Sequence, residues 1–265
     1  MKTADLIVVA GRIWTGDPAN PWAQALAARD GAIVAVGARD EVLRLRGPAT
    51  RLVEAPDGLA TPGLIDAHGH IESLGRSLED LDLRGVASVE EGARRVKERA
   101  AALPADVWIT GSNWDQSLWP GGSFPTSAVL DAVAPDRPVW LTRVDGHAGW
   151  ANAEAMLGGE PTGVFIDGAM SLIGRVVPPP SAADVERRIL AAQRRIVAQG
   201  LTGVHDAGVS ALEADVFRRL DRAGRLSMRV YAMALPPGGK EVQTVSRPPI
   251  KEPEGSRFEM RAIKL

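Results

Sequence analysis

Alternating apolar and polar positions predict a small β unit in the first quarter of the chain. DLIVVAGRIWT (5–15) is predicted as a strand, and AQALAARDGAIVAVGA (23–38) as a hairpin whose Asp30-Gly31 pair supplies the positive φ angles of a tight turn. A helical turn over 40–46 and a strand in TRLVEA precede a predicted turn at PDG, residues 56–58. A sheet this small does not close its own core. We therefore expect it to pack against another part of the chain.

The pattern changes at Leu59, where strands begin to alternate with helices. GLIDAHGH (63–70) is apolar first and polar last, which is typical of a strand buried on both faces that delivers side chains at its C-terminal end. Helical periodicity and serine caps predict helices over 88–102 and 181–199. The remaining predicted elements are strands near 106–111 and 138–144 and in LTGVHDAG, SMRVYAMAL and RFEMRAIKL, a helix in LEADVFRRLDRAG, and a loop over 236–257. This alternation predicts a parallel sheet.

Two of the four histidines of the chain end the strand at 63–70. Side chains two apart in a strand share a face, so Asp66, His68 and His70 lie on one side. Two imidazoles at this spacing can reach one divalent ion at roughly 2.0 to 2.1 Å. Paired histidines are also common on protein surfaces. The predicted burial favours a metal site, because a buried imidazole pair without a partner is unfavourable.

Composition limits the kind of site and partner. The chain has no cysteine, so a metal must be held by His, Asp, Glu or a rarer ligand. Asp plus Glu (33) nearly balance Lys plus Arg (31), and hydrophobic residues make up 45%. This balance favours a small-molecule partner over nucleic acid or a membrane. The first apolar run is too short for a signal sequence or a membrane span, which predicts a cytoplasmic protein.

PGLIDAHGH resembles the first-strand signature of the amidohydrolase superfamily, whose members are metal-dependent hydrolases on a (β/α)8 TIM barrel with a small flanking β-sandwich. GSNWDQSLWPGGSFPTSAVLDAVAPDRPVWLTRVDGHAGWAN and GLTGVHDAGV resemble the branch of N-substituted formamide deformylases. The resemblance implies an α/β fold with an N-terminal β-sandwich portion over 1–60. It also implies the first half of a barrel over 61–265, with residues 72–180 as a long insertion between strands one and two.

The resemblance also implies roles for particular residues. Strand four becomes MRAIKL, where barrels with two metals carry a carbamylated lysine, here Lys264. Only five of the 31 basic residues are lysines, and this one lies in an apolar strand. An arginine cannot take this role, because carbon dioxide adds to an amine that can lose its proton. The alternative is a strand-end ammonium in solvent.

The other candidate residues surround the predicted mouth of the barrel. His147 and His205 are candidates for the substrate pocket, with a structural role as the alternative for each. Trp114 and Trp119 either line that pocket or pack in the core. Asp66 is expected to orient the ligating imidazoles by hydrogen bonding.

The family pattern continues beyond this sequence. Two further histidines and the aspartate that serves as general base are expected beyond residue 265, so the chain is predicted to be the N-terminal part of a longer protein. The predicted activity is hydrolysis of a non-peptide C–N bond in an amide or N-substituted formamide by metal-activated water. Zinc is the first choice of metal, with iron or manganese as alternatives, and a homo-oligomer is compatible with the sequence. Two other functions stay open: a non-catalytic small-molecule-binding module and an isomerase on the same scaffold.

Overall fold

The computed structural model describes residues 2–104, 107–157, 162–235 and 252–264, which divide into two compact units at Leu64/Ile65. The predicted boundary was residue 60. The strands are β1 Leu6–Trp14, β2 Trp22–Arg29, β3 Ala32–Gly37, β4 Arg51–Ala60, β5 Leu64–Gly69, β6 Leu81–Asp82, β7 Ile109–Trp114, β8 Val139–Arg143, β9 Ala148–Ala151, β10 Val164–Ile166, β11 Leu201–Val209, β12 Arg229–Ala234 and β13 Phe258–Ile263. The helices are α1 Arg39–Leu43, α2 Ile71–Ser77, α3 Val89–Ala102, α4 Ser127–Asp131, α5 Met170–Gly174, α6 Ala182–Ala198 and α7 Ala211–Arg222.

The first unit is one sheet with strand order β3-β2-β1-β4. Its β2–β3 hairpin turns at Asp30 and Gly31, with φ angles of 52° and 77° as predicted. Val42 of α1 packs with Ile7 and other apolar residues of the sheet to form a small core. The described residues of this unit therefore form one sheet covered by a helix, and the second layer of the predicted sandwich is not among them.

The predicted turn at 56–58 is wrong, because these residues lie inside β4. They form a bulge opposite Gly11, where the register jumps from Ala10–Ala55 to Arg12–Leu59. A Cβ at Gly11 would lie 2.2 Å from the carbonyl oxygen of Pro56. The missing side chain at Gly11 thus lets the two backbones meet at the bulge.

The other face of this sheet is apolar and exposed. Trp14, Trp22 and Ile33 are 47%, 48% and 63% exposed and line a cavity of about 750 Å³.

The second unit contains two sheets among its described residues. The first has the order β10-β9-β8-β7-β6 and is formed entirely by residues of the predicted insertion. Its β6, β7 and β8 run parallel, while β9 and β10 are antiparallel to their neighbours. The insertion is therefore a folded layer with its own hydrophobic core.

The second sheet has the order β13-β12-β11-β5, with β11, β12 and β13 parallel as the alternation predicts. Helices α6 and α7 cover one face and bury Ile189 and Phe217 against the strands. Both helices begin at serine caps with complete capping boxes, Ser181 with Asp184 and Ser210 with Glu213. The predicted loop over 236–257 lies mostly outside the described residues.

Strand β5 is not buried on both faces as predicted. Leu64 and Ile65 are 63% and 60% exposed. Among the strands that the structure describes, β5 stands at the end of the sheet order and has a neighbour, β11, on one side. The first half of β5 is apolar as predicted, but its side chains are exposed because the strand lies at the edge of the described sheet.

No helix among the described residues is long and apolar enough to cross a lipid bilayer.

Close contact between α2 and α6 depends on Gly75. A Cβ there would lie 2.2 Å from the carbonyl oxygen of Arg188, so Gly75→Ala must push the two helices apart. We expect a loss of unfolding free energy of about 2 kcal/mol, measured by urea denaturation. Gly92→Ala is the matched control, because a Cβ in that helix meets only ordinary contacts at 3.7 and 3.8 Å. Equal effects of the two substitutions would contradict the close-contact explanation.

Candidate functional site

The two histidines lie at the C-terminal end of β5. Their ring centroids are 5.6 Å apart with the planes at 78°, an edge-on arrangement. His70 is the N-cap residue of α2, with extended backbone angles, and its side chain is 49% exposed. Both residues are exposed. The predicted burial of the imidazole pair is therefore wrong, because both residues are open to water.

Asp66 contacts the backbone of the histidine segment. Its Oδ1 accepts the backbone N–H of His68 at 3.0 Å. This bond fixes the backbone at the strand end. Asp66 thus contacts the peptide of His68, and its predicted role of orienting the imidazole rings stays a prediction.

Asp206 is the site residue that sequence reasoning missed. Its side chain is only 4% exposed, and its Oδ2 accepts the backbone N–H of Ile71 at 3.1 Å. Its Oδ1 lies 3.9 Å from Nδ1 of His70. The signal was available in GVHDAG, since a carboxylate inside an apolar strand needs a partner.

The environment of Asp206 is unfavourable for a charge. Burial raises the pKa of Asp206 from 3.8 to about 7, with further raising contributions from Glu213 and Glu72 and a lowering one from the Ile71 N–H. The carboxyl group therefore titrates near neutrality.

This raised pKa makes stability depend on pH. Between about pH 4 and pH 7 the folded chain keeps a proton on Asp206 that the unfolded chain has released, so stability falls as pH rises. In Asp206→Asn this loss is absent, and across the window the variant should gain up to about 4 kcal/mol of unfolding free energy relative to the parent. Urea denaturation of the metal-free chain at both ends of the window measures it.

Asp184→Asn is the matched control for this pH dependence. The pKa of Asp184 is lowered to about 2 by hydrogen bonds from Ser181 and Arg187, so its proton is lost below the window. The control should parallel the parent chain from pH 4 to 7. If the stability of Asp206→Asn also changes with pH as that of the parent chain does, the raised pKa of Asp206 is contradicted.

His205 lies apart from the His68–His70 pair. It is next to Asp206 in β11, so the two side chains point to opposite faces of the sheet. Its ring centroid is 5.2 Å from that of Tyr231, and both residues line a cavity of about 270 Å³ together with Ile65 and Glu259. The structure therefore places His205 at a cavity on the face opposite Asp206.

Lys264 follows β13 and continues the parallel ladder. Its backbone N–H donates to the carbonyl of Ala234 at 2.9 Å, and the residue is half-buried. Strands β11 and β12 lie between β13 and β5, so Lys264 and His70 are three strand spacings apart, about 14 Å in a flat sheet. Within the described ranges, no group of three or more His, Asp or Glu side chains is arranged to hold a metal.

His147 belongs to the other sheet of this unit, in the turn between β8 and β9. Its Nδ1 lies 2.8 Å from Oδ1 of Asp167, and its backbone N–H donates to Asp145. Hydrogen bonding from Arg143 lowers the pKa of Asp145 to about 2. The His147 side chain is 70% exposed, so its Nε2 is presented to solvent by a fixed turn.

Trp114 and Trp119 lie in the core of that sheet, which corrects their assignment to a substrate pocket. They are 0% and 6% exposed, and their rings stack at 5.8 Å. Each indole N–H donates to a backbone carbonyl, of Leu141 and Val86 respectively. Both rings are buried and both indole N–H groups are hydrogen-bonded, which is typical of tryptophans that pack in a core.

Comparison with known proteins identifies the family. The profile of the amidohydrolase family matches residues 51–265. LONG AFTER FAR-RED 3 of Arabidopsis thaliana is 33% identical over 225 residues, which are 77% of this chain and 38% of that protein. N-substituted formamide deformylase of Arthrobacter pascens is 29% identical over 248 residues, which are 84% of this chain and 46% of that protein.

The fold of this chain is also similar to that of a solved metal-dependent hydrolase. An uncharacterised metal-dependent hydrolase from Pyrococcus furiosus superimposes with a TM-score of 0.77 at 26% identity, covering 97% of this chain and 55% of that one. The chain thus spans about half the length of the proteins it matches, or less. The resemblance predicted from PGLIDAHGH and the Trp-rich segment is confirmed, and the chain belongs to the amidohydrolase family.

Proposed function

We propose that this chain is part of a metal-dependent hydrolase that cleaves a non-peptide C–N bond, in an amide or an N-substituted formamide. The observation that carries the proposal is the His68–His70 pair at the end of a strand, beside the buried carboxylate of Asp206. The similarity to N-substituted formamide deformylase supports the bond class. This chain spans less than half the length of these relatives, so the proposed activity is that of the whole protein.

The residues fit a divalent metal by the chemistry of their donors. His68 and His70 offer imidazole nitrogens on exposed rings, which zinc binds well and iron or manganese also accept. Such an ion would lower the pKa of a water molecule and polarise the carbonyl of the substrate. In this proposal Lys264, carbamylated, would contribute a further oxygen ligand.

The remaining residues of the chain hold and shape the site. Asp66 and Asp206 fix the backbone on either side of His70 through the N–H groups of His68 and Ile71. His205 lies at a cavity beside Tyr231 on the sheet face opposite Asp206, and its role in the substrate pocket stays a prediction. His147, held by Asp167, would present a hydrogen-bonding nitrogen from the insertion.

Metal analysis combined with a substrate panel tests the proposal. The full-length protein should contain divalent metal and should hydrolyse at least one N-substituted formamide or simple amide, with activity lost on chelation and restored by zinc. Protein without metal that stays inactive on the whole panel after zinc is added would refute it. Labelled bicarbonate should add a carbamate carbon signal to the protein and not to Lys264→Arg.

A second candidate is a small-molecule-binding module without catalysis. It is favoured by the absence, within the described part of the chain, of a third His, Asp or Glu positioned to complete a metal site. Binding of amides by the full-length protein without product formation would support this candidate. Conversion of an amide into an isomer, without hydrolysis, would instead point to an isomerase.

A further inference from the structure

Asp206 ties the end of one strand to the middle of another. It lies in β11, and its Oδ2 accepts the N–H of Ile71, 135 residues earlier in the chain. Ile71 itself is 1% exposed and belongs to the core under the sheet. The peptide that follows His70 is therefore held by a buried hydrogen bond and a buried side chain at once.

The ring of His70 is fixed less strongly than its backbone. The side chain is 49% exposed, and its Cε1 would lie 3.7 Å from a Cβ added at Gly208, so the ring rests beside the backbone of β11. Its Nδ1 faces Oδ1 of Asp206 at 3.9 Å. This distance is too long for a hydrogen bond but short enough for a carboxylate to attract an N–H dipole.

A neutral imidazole carries its proton on one nitrogen, and the partner of the other nitrogen decides which tautomer forms. A carboxylate accepts hydrogen bonds and cannot donate them when ionised. It therefore favours the proton on Nδ1 and leaves the lone pair of His70 on Nε2, the nitrogen farther from Asp206. The contact at His68 differs, because Asp66 accepts its backbone N–H.

We infer that Asp206 is the positioning residue of His70: it anchors the β5–α2 junction through Ile71 and orients the imidazole so that Nε2 is free to bind a metal ion. The inference deepens the proposed function and rests on it for the identity of the ligand. The orientation of the ring, however, is a property of the metal-free chain.

Nitrogen-15 correlation spectra of the metal-free chain in mildly alkaline buffer test the orientation. His70 should carry its proton on Nδ1 in the parent chain, with the resonance assigned from His70→Asn. Asp206→Asn keeps an oxygen that can accept the Ile71 N–H but turns a neutral amide towards the ring. A lower Nδ1–H fraction in this variant is expected, whereas Asp184→Asn, which alters the cap of α6, should leave the spectrum unchanged.

Zinc affinity is the second measurement, by competition with a chromophoric chelator. Asp206→Asn should weaken zinc binding about 10-fold or more, in the range found for groups that orient a ligating histidine. Asp184→Asn should bind zinc as the parent does. An identical tautomer and affinity in Asp206→Asn and the parent chain would reduce Asp206 to a structural role and overturn the inference.

Two further outcomes separate this inference from the proposed function. If His70 of the parent chain carries its proton on Nε2, the inference fails without any variant, even if Asp206→Asn does not fold. If the full-length parent protein binds no metal, the proposed function fails, while the tautomer measurement still decides the role of Asp206.

Discussion

Asparagine in place of His70 is expected to lower the metal content and the amidohydrolase activity of the full-length protein together. The substitution removes one of two imidazoles that stand 5.6 Å apart, and one remaining imidazole from β5 cannot hold the ion in place. We expect metal affinity to fall by more than about 100-fold, because loss of a ligand exceeds the 10- to 100-fold effect of losing a group that supports one. Elemental analysis and steady-state kinetics on the same samples measure both quantities.

The fold should survive this change, because the His70 side chain is 49% exposed. His147→Asn is the matched control: it removes an exposed imidazole that lies in the other sheet and should leave the metal content unchanged. His68→Asn should behave as His70→Asn does. An unchanged metal stoichiometry in both strand variants would contradict the ligand assignment.

Alanine in place of Trp119 is expected to destabilise the protein by about 3 kcal/mol or more, as large aromatic-to-alanine changes in a core do. The indole is 6% exposed, stacks on Trp114 and lies edge-on to Trp150, and its N–H donates to the carbonyl of Val86 at 3.0 Å. The variant therefore loses packing and leaves a buried carbonyl without its donor. Urea denaturation measures the loss of unfolding free energy.

Trp14→Ala is the control for this prediction, since that ring is 47% exposed and the same substitution should cost much less. Kinetics on the Trp119→Ala protein provide the opposing test. If the variant is stable and its KM is changed, Trp119 lines a substrate pocket and the core assignment is wrong.

Local elements were predictable because short-range chemistry forms them. Ser88 and Ser181 each accept the N–H three residues on, and the helices begin where the serines predict. The β2–β3 hairpin turns at Asp30-Gly31 because those residues adopt positive φ. The family was also predictable, since its signature residues are contiguous in PGLIDAHGH.

Burial was less predictable, because it depends on what lies beside an element. The apolar start of β5 indicates a buried strand, yet the strand stands at a sheet edge and Ile65 is exposed. Trp114 and Trp119 are candidates for a pocket wall in the sequence, but their two indoles pack against each other and against Trp150. Prediction of the bulge at Pro56 would have required knowing that Gly11 faces it from the neighbouring strand.

The sequence by itself determined the starts of α3 and α6, the tight turn at Asp30-Gly31 and the His68–His70 spacing, because each depends on residues within a few positions of one another. Tertiary structure alone decided that Asp206 meets Ile71, 135 residues earlier, and the adjoining His70, that the insertion forms its own sheet, and that His205 shares a cavity with Ile65 and Tyr231. The physical reason is that such contacts depend on the pairing of distant strands. A pairing register places each side chain on one face or the other, and the local pattern does not specify which strand will be the neighbour.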